Sequence, residues 1–235
     1  MNDNLVYNNP EFDEFAADYD SALNRGLSVS GEQKEYFSRG RIAWLKRCLD
    51  LMNCVPESIL DFGCGTGSAV PVFLDIMKVR SIIAIDPSPK SISIAERNYG
   101  SERIAFMTTA EFEPCGNVDI AYCNGVFHHI MPPWRATFVE VIKRALHPGG
   151  LFAFWENNPW NPGTRYVMSR IPFDRDAVPV TSLEACRLLS TAGFEILRID
   201  FLFVFPRILK MLRLIEPTLS KLPLGAQYQI LCRKP

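Results

Sequence analysis

The chain has 235 residues, 48% of them apolar, and its 25 basic and 26 acidic side chains leave a net charge of −1. That much apolar content supports a large core and excludes a disordered chain, while near-neutrality without a basic stripe argues against nucleic acid as a substrate. The start lacks the basic and apolar parts of a secretory signal, no apolar run reaches bilayer length, and seven scattered cysteines without ligand spacing suit reduced thiols in the cytoplasm.

Phe12, Phe15, Ala16, Tyr19 and Leu23 recur at helical spacing, so an amphipathic helix is expected near the N-terminus. A loose link at Gly26, Ser28, Ser30 and Gly31 follows. Residues 32–52 read as a strong helix with Tyr36, Phe37, Ile42, Trp44, Leu45 and Leu49 on its apolar positions. Next, Ile59-Leu60 reads as a short buried strand that stops at Asp61 and runs into Gly63, Gly65 and Gly67. An apolar helix carrying Val70, Val72, Phe73, Leu74, Ile76 and Met77 is expected after them. Strand, glycine turn and helix form the ligand-cradling unit of a doubly wound sheet. The glycines permit close backbone approach, and the helix start offers free N–H groups.

A dinucleotide turn of the G-x-G-x-x-G kind needs its third glycine at position 68, where Ser68 stands. A second buried strand, 81–85, ends on Asp86, whose carboxylate can accept from both hydroxyls of a ribose. Pro87-Ser88-Pro89 then opens a helix through Asn98. Further strands are expected at 104–107 and at 118–123, the latter running to Asn124-Gly125. A helix over 132–146 ends at His147-Pro148-Gly149-Gly150, and a strand at 151–155 emerges at Glu156. Residues 157–180 form a polar, proline-rich and aromatic insertion of the sort that serves function. Thr181 and Glu184 make a capping box for a helix over 182–192. A strand at 194–205, a basic apolar segment at 206–223 and a last strand at 226–232 complete the chain.

The acid-x-G-x-G-x-G spacing from Asp61 to Gly67, with an acid closing the next strand, resembles motif I of the class I S-adenosylmethionine-dependent methyltransferases. The small-molecule type, like the ubiquinone- and menaquinone-pathway enzymes, is the nearer likeness. The resemblance implies an α/β, Rossmann-like doubly wound seven-stranded sheet, helices on both faces, last strand antiparallel. It implies one domain over residues 1–235, with an N-terminal lid (1–50) and substrate-lid insertions (157–180 and 206–223). S-adenosylmethionine is the implied cofactor and S-adenosylhomocysteine its product. The turn Asp61, Gly63, Cys64, Gly65 and Gly67 would wrap the methionine end. Asp86 and Pro87 would take the ribose, Thr109 and Ala110 would edge the adenine, and Asn124 would face the sulfonium. Tyr19 resembles a lid residue that closes over the site. Arg41, better spaced than Arg39, resembles the arginine that holds the cofactor carboxylate, a solvated surface arginine being the competing reading.

An in-line methyl transfer to a hydroxyl or amine still needs a proton acceptor, and histidine suits that work near neutral pH. His128 and His129 are the candidates beyond the sheet's carboxyl edge. Glu156 is a third, although strand-end acids are often simply solvated. No metal is expected, because Gly125 and His128 stand where related enzymes carry acids. The expected acceptor is a small molecule, aromatic, sugar-derived or lipid-linked, methylated on oxygen or nitrogen. Segment 206–223 reads as a second wall of its pocket, a homodimer surface or a peripheral membrane contact. A S-adenosylmethionine-binding sensor or accessory subunit without turnover is the alternative function, and a NAD-dependent oxidoreductase a third.

Overall fold

The computed structural model describes residues 19–174 and 176–235, with side chains from Leu23 on. Phe12, Phe15 and Ala16 lie outside the described residues, as does the side chain of Tyr19. In chain order the elements are α1 (Tyr19–Leu27), α2 (Lys34–Leu51), β1 (Ser58–Phe62), α3 (Val70–Val72), β2 (Ser81–Asp86), α4 (Pro89–Tyr99), β3 (Ile104–Thr108) and β4 (Val118–Asn124). They continue with α5 (Arg135–Ala145), β5 (Leu146–Asn157), α6 (Pro162–Arg170), α7 (Ser182–Thr191), β6 (Glu195–Leu202), α8 (Glu216–Leu219) and β7 (Gln227–Arg233).

The strands form one seven-stranded sheet in the order β3-β2-β1-β4-β5-β7-β6. β7 runs antiparallel to both β5 and β6, and the other pairs are parallel. Both faces of the central strands are apolar, as a covered parallel sheet requires. Ile59, Ile82, Ile120 and Tyr122 pack with α2 residues Ile42, Leu45 and Leu49 on one face. Leu60, Ile85, Ala121 and Phe154 pack with Phe138 and Ile142 of α5 and Leu189 of α7 on the other. Chain order reverses between β1 and β4, so a crevice opens beyond their carboxyl ends. Among the described residues no helix is long and apolar enough to cross a membrane.

Three local expectations are corrected. The helix after the glycine turn is a single turn that widens into a π-turn over Phe73–Met77. Pro71 at its start offers no N–H, and the Lys78 N–H reaches back to the Phe73 carbonyl at 3.1 Å. The link after α1 is ordered: Ser28–Ser30 is a 3₁₀ turn, and Gly26 lies inside α1, where a Cβ would come within 2.5 Å of the Ile171 side chain. β5 begins at Leu146 rather than 151, because Leu146 pairs with Val118 and Gly149 and Gly150 exchange backbone bonds with Lys234.

Candidate active site

β1 delivers the glycine turn. The Gly63 and Cys64 N–H groups donate to the Ile85 carbonyl at 2.8 and 2.9 Å, anchoring the turn on β2. Gly63, Gly65 and Gly67 adopt φ of 77°, 53° and 78°, the left-handed region that disfavours a side chain. Their surroundings differ. A Cβ at Gly63 would strike Val126 at 2.3 Å, and one at Gly67 would press on Ala95, Tyr99 and Phe106 at 3.0–3.2 Å. A Cβ at Gly65 would meet nothing within 4 Å. Gly65 is therefore the glycine whose open face a ligand can fill, while Gly63 and Gly67 serve packing. Cys64 is buried, and burial pushes its thiol well above the usual range.

Asp86 closes β2 and holds this turn. Its Oδ2 accepts the Gly65 N–H at 2.9 Å and its Oδ1 the Ser88 N–H at 3.0 Å. Ser88 in turn caps α4 by accepting the Ser91 N–H at 3.1 Å. Asp61 is fully buried with no hydrogen-bond partner for Oδ2. Burial, with the charge of Asp86 adding and Arg41 opposing, pushes its carboxyl up to about 7. A buried carboxylate oxygen without a partner is costly, and the cationic end of a ligand would relieve it. Asn124 Oδ1 is likewise buried without a partner.

Arg41 corrects the surface reading: it is buried, donating from Nε to the Tyr122 hydroxyl at 3.0 Å and from Nη1 to Gln227 Oε1 at 2.9 Å. Arg39 is the surface arginine, paired with Asp75 at 2.9 Å. Thr109 borders the site, but its N–H is spent on the Asp86 carbonyl at 3.1 Å. Ala110 sits on an exposed turn away from both cavities described next.

Two cavities meet here. One of about 90 Å³ is lined by Gly63, Gly65, Asp86, Pro87, Ser91 and Thr109. The other, about 360 Å³, is lined by Tyr36, Phe37, Arg41, Phe173, Asp174, Phe203 and Arg213, with Asn161, Thr164 and Met168 from the insertion after β5. Asn124, Gly125 and His129 line both. The larger cavity thus has walls from the described part of residues 1–50 and from both the 157–180 and 206–223 segments.

His128 and His129 follow β4 directly, their rings 4.1 Å apart. Glu156, expected to be solvated, is 1% exposed and organises them. Its Oε1 accepts the Phe127 N–H at 2.7 Å and its Oε2 lies 2.7 Å from His128 Nδ1. Asp174 Oδ1, on the 3₁₀ turn Pro172–Asp174, lies 3.5 Å from His128 Nε2 and 3.4 Å from His129 Nε2. Burial works to lower His128, but the Glu156 charge and the bonds to Asp174 and Glu156 outweigh it and raise it to about 10. Burial and the neighbouring His128 charge push His129 down to about 2. At neutral pH the pair therefore carries one positive charge, on His128, and His129 is a neutral imidazole between the two cavities.

Because His128's folded value lies above that of an unfolded histidine, about 6.5, its interactions stabilise the fold fully below that pH. The contribution is lost as pH climbs through about 10. Imidazole NMR should accordingly show neither His128 nor His129 titrating between pH 5 and 8, and Glu156→Gln should bring the His128 ionisation down toward that window. One ring nitrogen from each histidine and a carboxylate oxygen of Asp174 also lie within 4.8 Å of one another, a set that could ligate a cation. Asp174 and the burial of Glu156 were the features least visible in the sequence. Asp174 stood in a long loop, and Glu156 looked like any other strand-end acid.

A doubly wound sheet with a glycine turn, an acid closing the next strand and a cavity at the switch point is the arrangement that suits a nucleoside ligand. Residues 60–154 match the family described as Methyltransferase domain. Over 120 residues the chain is 28% identical to the malonyl-[acyl-carrier protein] O-methyltransferase of Halalkalibacterium halodurans, a match covering 48% of this chain and 42% of that protein. The chain spans less than half the length of the leading curated relatives it matches. In fold it is similar to the Haloferax volcanii protein solved in complex with a methyltransferase activator (TM-score 0.64, 17% identity, 96% of this chain and 98% of that one). It is also similar to an S-adenosylmethionine-dependent methyltransferase from Mesorhizobium loti (TM-score 0.58, 19% identity, 80% and 96%). Residues 60–154 thus match a methyltransferase domain, and the fold is similar to that of S-adenosylmethionine-dependent methyltransferases.

Proposed function

We propose that residues 1–235 act as one methyltransferase domain, moving a methyl group to an oxygen or nitrogen of a small, largely apolar acceptor held in the larger cavity. The observation that carries this is the meeting of the two cavities at His129 and Asn124. The adenosyl end belongs beside Asp86, Pro87 and Thr109, the open face of Gly65 gives it room, and the cationic amino-acid end belongs beside Asp61. The cofactor supplies a sulfonium-activated methyl. The residues align the acceptor and exclude water, which can account for much of the rate.

His129, neutral and lining the acceptor cavity, takes the acceptor's proton on a ring nitrogen; burial and the His128 charge make it a weak base at rest, so the proton leaves as the methyl group is transferred rather than before it. Asp174 at 3.4 Å steadies the imidazolium that results. His128, locked by Glu156, is a positioning residue that holds its neighbour's ring in place. Proton transfer at this cluster predicts that a chelator leaves the rate unchanged, and a chelator-sensitive rate would assign the His128, His129 and Asp174 set to a cation instead. The test is incubation with methyl-labelled S-adenosylmethionine and a panel of phenols, amines and lipid-linked sugars. Label in one acceptor class supports the reading. Saturable cofactor binding with no transfer to any of them would favour a sensor or accessory subunit instead.

A further inference from the structure

Arg207–Ile215 is a 3₁₀ segment kinked at Leu209, and in such a helix side chains three apart eclipse one another. The three-residue repeat sorts the side chains into three sets, which the kink at Leu209 offsets between residues 207–208 and 210–215. Arg207, Lys210 and Arg213 make a basic one. Arg207 donates to the Gly31 carbonyl at 3.3 Å, and Arg213 donates to the Phe205 carbonyl at 3.1 Å and to Glu32 at 2.9 Å. That set ties the segment to the body. The other two sets are apolar and face water. Ile208, Met211 and Leu214 are 89%, 75% and 84% exposed, and Leu209, Leu212 and Ile215 are 44–49% exposed.

Six exposed apolar side chains within nine consecutive residues go far beyond the single surface hydrophobics of an ordinary protein. Side chains this exposed touch little of the body, so they stand as a ridge, whereas a stable dimer needs a broad face of about 800 Å² per partner. The adjacent acids are turned inward: Glu216 accepts the Phe205 N–H at 2.8 Å, and Glu32 is paired with Arg213. Apolar tips beside the exposed Arg207 and Lys210, with Arg213 held inward by Glu32, are the pattern of an element that lies in a lipid interface and is drawn there by anionic headgroups. Pro206 and Arg213 also wall the acceptor cavity.

We propose that residues 206–215 dock the chain on an anionic lipid surface, with Ile208, Met211 and Leu214 entering the headgroup–acyl boundary. Vesicle binding requires no turnover, so this stands or falls apart from the reaction. The test is co-sedimentation of the full chain with phosphatidylglycerol vesicles and with phosphatidylcholine vesicles. Most of the protein should pellet with the former and stay in solution with the latter. The combined Ile208→Glu, Met211→Glu and Leu214→Glu substitutions should cut the bound fraction at least tenfold while S-adenosylhomocysteine affinity holds. Lys210→Gln should weaken vesicle affinity about fivefold. If the triple variant fails to fold, Ile208→Glu alone carries the comparison. Absence of sedimentation with phosphatidylglycerol, equal sedimentation of the apolar-to-Glu variant, or a dimer in solution that this variant dissociates would overturn the proposal.

Discussion

Asp86→Ala is expected to weaken S-adenosylhomocysteine binding by about two orders of magnitude. The carboxylate has two tasks at once. It fixes the turn by accepting the Gly65 and Ser88 N–H groups, and it presents acceptor capacity where a ribose diol would lie. Removing it leaves two backbone donors short of a charged partner and the sugar without one. Bonds to charged groups contribute roughly 1.5–3 kcal/mol each, and about 2.7 kcal/mol corresponds to a hundredfold in affinity. Asp86→Asn keeps one acceptor oxygen and should fall between the two. Calorimetric titration of the three proteins reads this directly; affinity in the alanine variant within threefold of the parent would remove Asp86 from cofactor binding.

His129→Ala should lower kcat by about 10²–10⁴, the usual range for a lost proton acceptor, with S-adenosylhomocysteine affinity changed less than threefold. The contrast with His128 makes the prediction specific. His128 is protonated and held on Glu156 at 2.7 Å, so His128→Asn acts through the placement of its neighbour and should cost less. Glu156→Gln should change the pH profile as well as the rate, because it removes the charge that keeps the His128 proton in place through neutral pH. Equal losses in the His128 and His129 variants with an unchanged pH profile would contradict this division of labour.

What could be read from the sequence was local. The bend at Gly63–Gly67 and the acids at Asp61 and Asp86 are short-range patterns tied to strand ends, and each lies where its spacing put it. The two histidines were adjacent in sequence and needed only β4 to place them. Their different charge states were not legible, because they are set by Glu156, 28 residues from His128, and by Asp174 on a distant loop. Arg41 shows the same limit: the partners that bury it, Tyr122 and Gln227, are 81 and 186 residues away. The helix after the turn was overestimated because its apolar run was legible while the effect of Pro71 on the hydrogen-bond ladder was not. The 206–223 segment was recognisably apolar and basic, but its three-residue repeat acquires meaning only once the backbone is 3₁₀.

The account depends most directly on the site built by Gly65, Asp61 and Asp86 being an adenosyl site with a place for a cationic amino-acid end. Isothermal titration of the purified chain with S-adenosylhomocysteine, alongside NADH, tests it. The account predicts saturable micromolar binding of S-adenosylhomocysteine and none of NADH. It also predicts proton release when the titration is run near pH 6, because a nearby ammonium would ionise an Asp61 carboxyl whose value lies near 7. No heat with S-adenosylhomocysteine, or tighter binding of NADH, would contradict it.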